Sequence, residues 1–173
     1  MGQRRVTVVV EALIEIPTGS QNKYEADHKT GRIRLDRVLY SPFHYPADYG
    51  FVPDTLAEDG DPLDVIVLIS QPTFPGCLLR ARIVGLLAMQ DEHGVDDKLL
   101  AVAHDDPRYD QVQALEDLPP HVLKEISHFF ATYKELQGLT ATVGEWQGQT
   151  AAEALLAECR RRVHHSNVRH GDI

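Results

Sequence analysis

Apolar and polar positions along the chain mark out a series of short strands followed by two helices. Residues 6–16 are rich in Val and Ile and predict a strand, which Pro17-Thr18-Gly19-Ser20 stops. Residues 23–26 and 32–39 predict two short strands joined by a turn at Thr30-Gly31. Residues 41–53 are dense in Pro, Tyr and Gly and read as a loop with rigid corners. A continuous apolar run over 65–70 has the length of a buried strand. Residues 78–89 and 99–103 predict further strands, separated by an acidic loop over 90–98.

The period then changes. Pro119 and Pro120 suit a helix start, because the first turn has no intrahelical use for their missing N–H. Val122, Ile126, Phe129, Phe130 and Tyr133 recur at helical spacing as an apolar stripe, with Gly138 as the stop. A second helix is expected to open at Thr150, with Glu153 completing a capping box, and to turn Leu155, Leu156, Cys159 and Val163 inward. No repeat or linker interrupts the chain. Strands followed by helices predict one α+β domain over 1–163, a small antiparallel barrel with helices packed outside. Residues 164–173 are expected to form a polar, disordered tail.

Composition narrows the function. The 173 residues suffice for one domain with a real core, and 43% hydrophobic with 25% charged residues is ordinary globular usage. A formal net charge of −9 argues against a general nucleic-acid binder but suits a collector of divalent cations. Cys77 and Cys159 form no CxxC pair, so a disulfide framework or zinc knuckle is not expected and a reducing cytoplasm is. The apolar run near the N-terminus is broken by Glu11 and Glu15, which excludes a membrane span or signal peptide as its reading.

The sharpest chemical signal is Asp59-Gly60-Asp61-Pro62-Leu63-Asp64, just before the buried run. A turn shaped by Gly60 and Pro62 can aim several carboxylates at one point, as hard divalent cations require; its plain alternative is a solvated acidic turn. A second acidic group, Asp91-Glu92-His93-Gly94-Val95-Asp96-Asp97, is closed by Lys98. Strands of one barrel can bring both loops to one end, where cations would have to offset the repulsion. Lys23-Tyr24-Glu25, Arg37, Tyr45, Tyr49, Tyr133 and Lys134 supply donors suited to phosphate oxygens. His93 lies inside the second acidic loop and His28 close after Glu25, so both are candidates to couple metal binding to pH, or simply solvated.

These segments resemble the soluble family I inorganic pyrophosphatases of prokaryotic, actinobacterial-like form. The likeness rests on residues 9–17, Lys23-Tyr24-Glu25, Asp36-Arg37, Tyr45-Pro46, Asp48-Tyr49-Gly50, residues 59–64 and 91–98, and His128 through Lys134, in order over most of the chain. The resemblance implies a five-stranded antiparallel OB-like barrel flanked by two C-terminal helices. It implies Mg²⁺-dependent hydrolysis of pyrophosphate to two phosphates in the cytoplasm by a homohexamer, without nucleic acid or membrane. Mn²⁺ or Zn²⁺ would substitute and Ca²⁺ would inhibit. Asp59, Asp64, Asp91, Asp96 and Glu15 would hold metal, with Glu25 an outer carboxylate. Lys23, Arg37, Tyr49, Lys98, Tyr133 and Lys134 would bind substrate, with Tyr45, His28 and His93 accessory. Asp61 would be the general base, a role that Asp96 could also fill. His44 and Asp97 depart from the usual pattern but remove no ligand. The rival readings are a non-catalytic OB-type binding module and a hydrolase of organic diphosphates or nucleoside triphosphates.

Overall fold

A computed structural model describes residues 6–169. The strands are β1 (Val9–Ile16), β2 (Asn22–Ala26), β3 (Ile33–Val38), β4 (Asp48–Phe51), β5 (Asp64–Leu68), β6 (Leu78–Asp91), β7 (Gly94–Val95), β8 (Lys98–Ala103) and β9 (Thr142–Gln147); the helices are α1 (Pro120–Thr132) and α2 (Gln149–Arg169). Strands β1, β4, β5, β8 and β6 pair in that order and β6 pairs back to β1, so five strands close into a barrel-like ring. The ring is mixed, which corrects the all-antiparallel expectation: β5 and β8 run parallel, Val65 opposite Leu99, while the other ring pairs are antiparallel. The two cannot be joined by a tight turn, and the long β6 crosses between them in sequence.

Local sequence explains the arrangement. In β1 the buried positions alternate at Val10, Ala12, Ile14 and Ile16, leaving Glu11 and Glu15 on the other side. In β5 and β8 nearly every residue is buried, because α1 and α2 serve opposite faces. Ile66, Leu68, Leu100 and Val102 pack with Phe129 and Phe130 of α1. Val65, Val67, Leu99 and Ala101 pack with Ala152, Leu156 and Cys159 of α2.

Three strands escaped the sequence reading. Strand β4 lies inside the segment read as a loop; it is four residues long and fully buried. Gly50 makes its pairing possible, since a Cβ there would sit 1.9 Å from the Leu13 carbonyl oxygen. The two-residue β7 folds the acidic loop back on β6. Strand β9 adds to β6 outside the ring, and its Trp146 donates to Ser127 Oγ of α1 at 2.9 Å. Pro120 opens α1 as expected, while Gly138, left-handed at φ +73°, closes the short 3₁₀ turn Glu135–Gln137 after it. Helix α2 begins at Gln149, placing Thr150 within its first turn. It runs on through 164–169, so the first six residues expected to be a disordered tail are helical; the last four lie outside the described residues.

Strands β2 and β3 form a separate two-stranded sheet beside the ring.

Candidate active site

The first wall is the acidic turn between β4 and β5. Its neck is closed by Val52 N donating to Leu63 O at 2.9 Å, and by Thr55 Oγ1, which donates to Val52 O at 2.6 Å and accepts from Leu63 N at 2.9 Å. At its tip Ala57 N donates to Asp61 O at 2.7 Å and Asp61 N to Asp59 Oδ1 at 3.0 Å, with Gly60 supplying φ +90°. Helix α2 holds the turn from behind. Leu56 N donates to Cys159 O at 3.0 Å, and Arg162 Nη1 reaches Leu56 O at 3.4 Å. Asp59, Asp61 and Asp64 are thereby presented on one side of a rigid loop.

The second wall runs from the end of β6 to the start of β8. Asp91 Oδ1 accepts from His93 N at 2.8 Å, and Asp97 Oδ1 accepts from Met89 N at 3.0 Å, so Asp97 fastens the loop to β6. Lys98 is 2% exposed, and its Nζ donates to Asp64 Oδ2 at 2.8 Å, Asp96 Oδ1 at 3.0 Å and Tyr49 Oη at 2.8 Å. Tyr49 in turn donates to Asp64 Oδ2 at 2.6 Å. A lysine thus links the two acidic loops. Burial opposes its charge, but Asp64 and Asp96 outweigh burial and raise its pKa. Burial pushes Asp96 up to about 6 against the pull of Lys98, with Asp64 adding repulsion. Burial and Asp64 likewise hold the Tyr49 hydroxyl protonated, well above its ordinary range.

The remaining groups come from the hairpin and the end of α1. In the hairpin Lys23 Nζ meets Glu25 at 2.8 Å and Asp36 at 3.6 Å, and Asp36 also accepts from Arg37 Nε at 2.5 Å. The hairpin touches β1 through Ala26 N, which donates to Glu15 Oε1 at 2.9 Å. Burial lifts Glu15 to about 7, opposed by that N–H and reinforced by Asp64. Tyr133 stacks on Phe129 at 5.0 Å between centroids, and Lys134 Nζ lies 3.3 Å from Asp91 Oδ2. Asp61 is raised by its own burial and by Asp59 and Asp64.

Both walls, the hairpin and the end of α1 contribute side chains to one cavity of about 370 Å³. Of the expected set, Glu15, Lys23, Glu25, His28, Arg37, Tyr49, Asp59, Asp61, Asp64, Asp91, His93, Asp96, Lys98, Tyr133 and Lys134 are brought together there. Tyr45 does not reach it: it is 2% exposed and supports the rings of Tyr49 and Tyr133 from behind, at 5.6 and 6.4 Å. His28 packs edge-on to Phe51, and the His93 side chain is 78% exposed. The sequence reading missed Gln137 in this wall, whose only cue was its place one turn after Tyr133-Lys134, and Arg162 behind the turn, which no local motif marks.

Seven carboxylates face four Lys and Arg side chains in the cavity, an excess of negative charge that the chain itself leaves unbalanced. Among the described residues no three Asp, Glu, His or Cys side chains close on a single point, because Lys98 and Lys134 draw several of the carboxylates to themselves. The carboxylates of the acidic walls offer oxygen donors, and burial, with Asp64 adding repulsion, disfavours the charged forms of Glu15 and Asp96 in the absence of a cation. Such a donor set fits hard divalent cations rather than thiophilic ones.

Residues 12–164 match the family model for inorganic pyrophosphatase. An inorganic pyrophosphatase of Geobacillus stearothermophilus is 56% identical over 154 residues, covering 89% of this chain and 93% of the relative. That of Streptomyces coelicolor is 50% identical over 153 residues, covering 88% and 94%. The crystal structure of the Thermus thermophilus inorganic pyrophosphatase superposes with a TM-score of 0.89 at 46% identity, covering 94% of this chain and 95% of that one.

Proposed function

The chain belongs to the inorganic pyrophosphatase family and hydrolyses inorganic pyrophosphate, and we propose that it does so with Mg²⁺ held by the two acidic loops. The observation that carries this reading is the convergence of both loops and the Lys, Arg and Tyr side chains on one cavity. Asp59, Asp64, Asp91 and Asp96 would hold the cations, with Glu15 directly or through water and Glu25 outside them. When bound, the metal acidifies a water and offsets charge on the leaving phosphate.

The chain's own groups do the rest. Lys23 and Arg37 approach from the hairpin, Lys98 and Tyr49 from the ring and Tyr133 and Lys134 from α1, so donors surround the anion. Asp64 and Asp96 keep Lys98 protonated against the cost of its burial, and burial keeps the Tyr49 hydroxyl protonated, so both donate. Asp61 is tied at its backbone but makes no side-chain ion pair among the described residues, and its raised pKa makes it a better proton acceptor than an ordinary aspartate. Asp96 is committed to Lys98, which favours Asp61 as the base. Mn²⁺ or Zn²⁺ would substitute, and Ca²⁺, larger and a weaker acidifier of water, would inhibit. No described helix is long and apolar enough to cross a membrane.

A phosphate-release assay on pyrophosphate, ATP and polyphosphate, with and without Mg²⁺, tests the reading. We expect pyrophosphate to be strongly preferred and excess EDTA to abolish turnover. Full activity in EDTA, or equal rates with Ca²⁺ and Mg²⁺, would sink the metal assignment.

A further inference from the structure

Buried polar atoms nearly always find a partner, because removing one from water without a replacement hydrogen bond is unfavourable. Among the described residues two buried side-chain oxygens have none, Ser41 Oγ and Gln137 Oε1. Ser41 is not part of the cavity wall, whereas Gln137 is. Gln137 closes the 3₁₀ turn after α1, its N–H donating to Lys134 O at 3.0 Å. One turn of chain therefore delivers Tyr133, Lys134 and Gln137 to the same wall.

We propose that Gln137 is a product-binding residue whose Oε1 accepts the P–O–H proton of hydrogen phosphate beside Lys134. This deepens the pyrophosphatase reading and rests on it. The orphaned atom is an acceptor, so its partner must bring a hydrogen. Fully ionised, metal-bound pyrophosphate offers only acceptor oxygens. Hydrolysis breaks the P–O–P bond and joins the water oxygen to one phosphorus, and the two water protons end one on each phosphate. A P–O–H group thus appears in this cavity only after the reaction. Asp91 and Glu92, the nearby acceptors on Lys134, are negative and repel a phosphate; a neutral carboxamide does not. Its NH₂ group can donate to another oxygen of the same phosphate, so one side chain can match both kinds of oxygen.

The test is Gln137→Met, close in shape but without the amide, with Gln137→Ala as a second variant should the first not fold. Inorganic phosphate binding in the presence of Mg²⁺ is measured by calorimetry, KM for pyrophosphate by phosphate release, and stability by urea unfolding in phosphate-free buffer. We expect the phosphate dissociation constant to rise about fivefold to tenfold, the scale of one hydrogen bond, and KM to rise by a smaller factor. The unfolding midpoint should stay or increase, since no hydrogen bond is lost in the free protein. Equal weakening of phosphate and pyrophosphate would make Gln137 a general clamp residue and overturn the inference. Unchanged phosphate binding, with or without lost stability, would also overturn it. A parent protein inactive on pyrophosphate would overturn both this inference and the reading beneath it, whereas an active parent with an indifferent variant would remove this inference alone.

Discussion

Replacing Glu15 by Gln should make the metal-free protein more stable, and more so as pH rises. Glu15 sits half-buried on β1 with Asp64 as a like-charged neighbour, and its carboxyl is pushed up to about 7 from an ordinary 4.5. Between those values the folded protein holds a proton that the unfolded chain has released, so stability falls as pH rises through that window. One pKa unit corresponds to about 1.4 kcal/mol, so ionising Glu15 in the fold costs about 3 kcal/mol near pH 8 and only about 1 kcal/mol near pH 5. A glutamine keeps an acceptor for Ala26 N–H and removes the charge. Urea unfolding in chelator should show the variant gaining about 2 kcal/mol or more near pH 8, roughly a 1 M shift in midpoint, with a much smaller gain near pH 5. Added Mg²⁺ should narrow or reverse the ranking, because the parent binds the cation more tightly and is stabilised by it. An equal gain at both pH values, or a loss at the higher one, would refute the electrostatic account.

Two further outcomes follow from the site and the family. Asp61→Asn should lower turnover by about 10²-fold while Mg²⁺ binding through Asp59 and Asp64 largely survives; near-parental turnover at every pH would return the base role to Asp96. We expect a homohexamer by light scattering, and a fully active monomer at micromolar concentration would contradict it.

The residues of the candidate site could be named from the sequence more readily than the strand pairing that gathers them. The acidic residues stand in two short contiguous runs, so their chemistry could be read without knowing the pairing that joins them. The closed ring was expected, but the parallel β5–β8 pairing within it could not be read, because that pairing is long-range and leaves no local signal. Strand β4 was hidden for a different reason. Its Asp48 is fully buried yet satisfied, accepting from Thr18 N at 2.8 Å and Thr73 Oγ1 at 2.6 Å, so a polar residue that reads as loop is here a strand residue. Tyr45 was drawn toward the site by its neighbours in sequence, but ring packing decides its place. Helix α2 outran its expected end: 164–169 continue it although His, Ser, Asn and Val are only middling helix formers, so neither propensity nor the finished apolar stripe marked them.

The separation of the β2–β3 hairpin from the closed ring divides the cavity wall between a sheet that closes on itself and a ribbon that does not. Tyr49 and Lys98 are set in the ring, where any displacement would have to break strand pairing on both flanks. Lys23 and Arg37 ride on a hairpin that shares no ladder with the ring and is tied to β1 at the cavity by the Ala26–Glu15 bond. A single anhydride becomes two separate ions during each turnover, and the space they need changes accordingly. With this construction, tilting that ribbon to follow the change would disturb none of the ring's ladders.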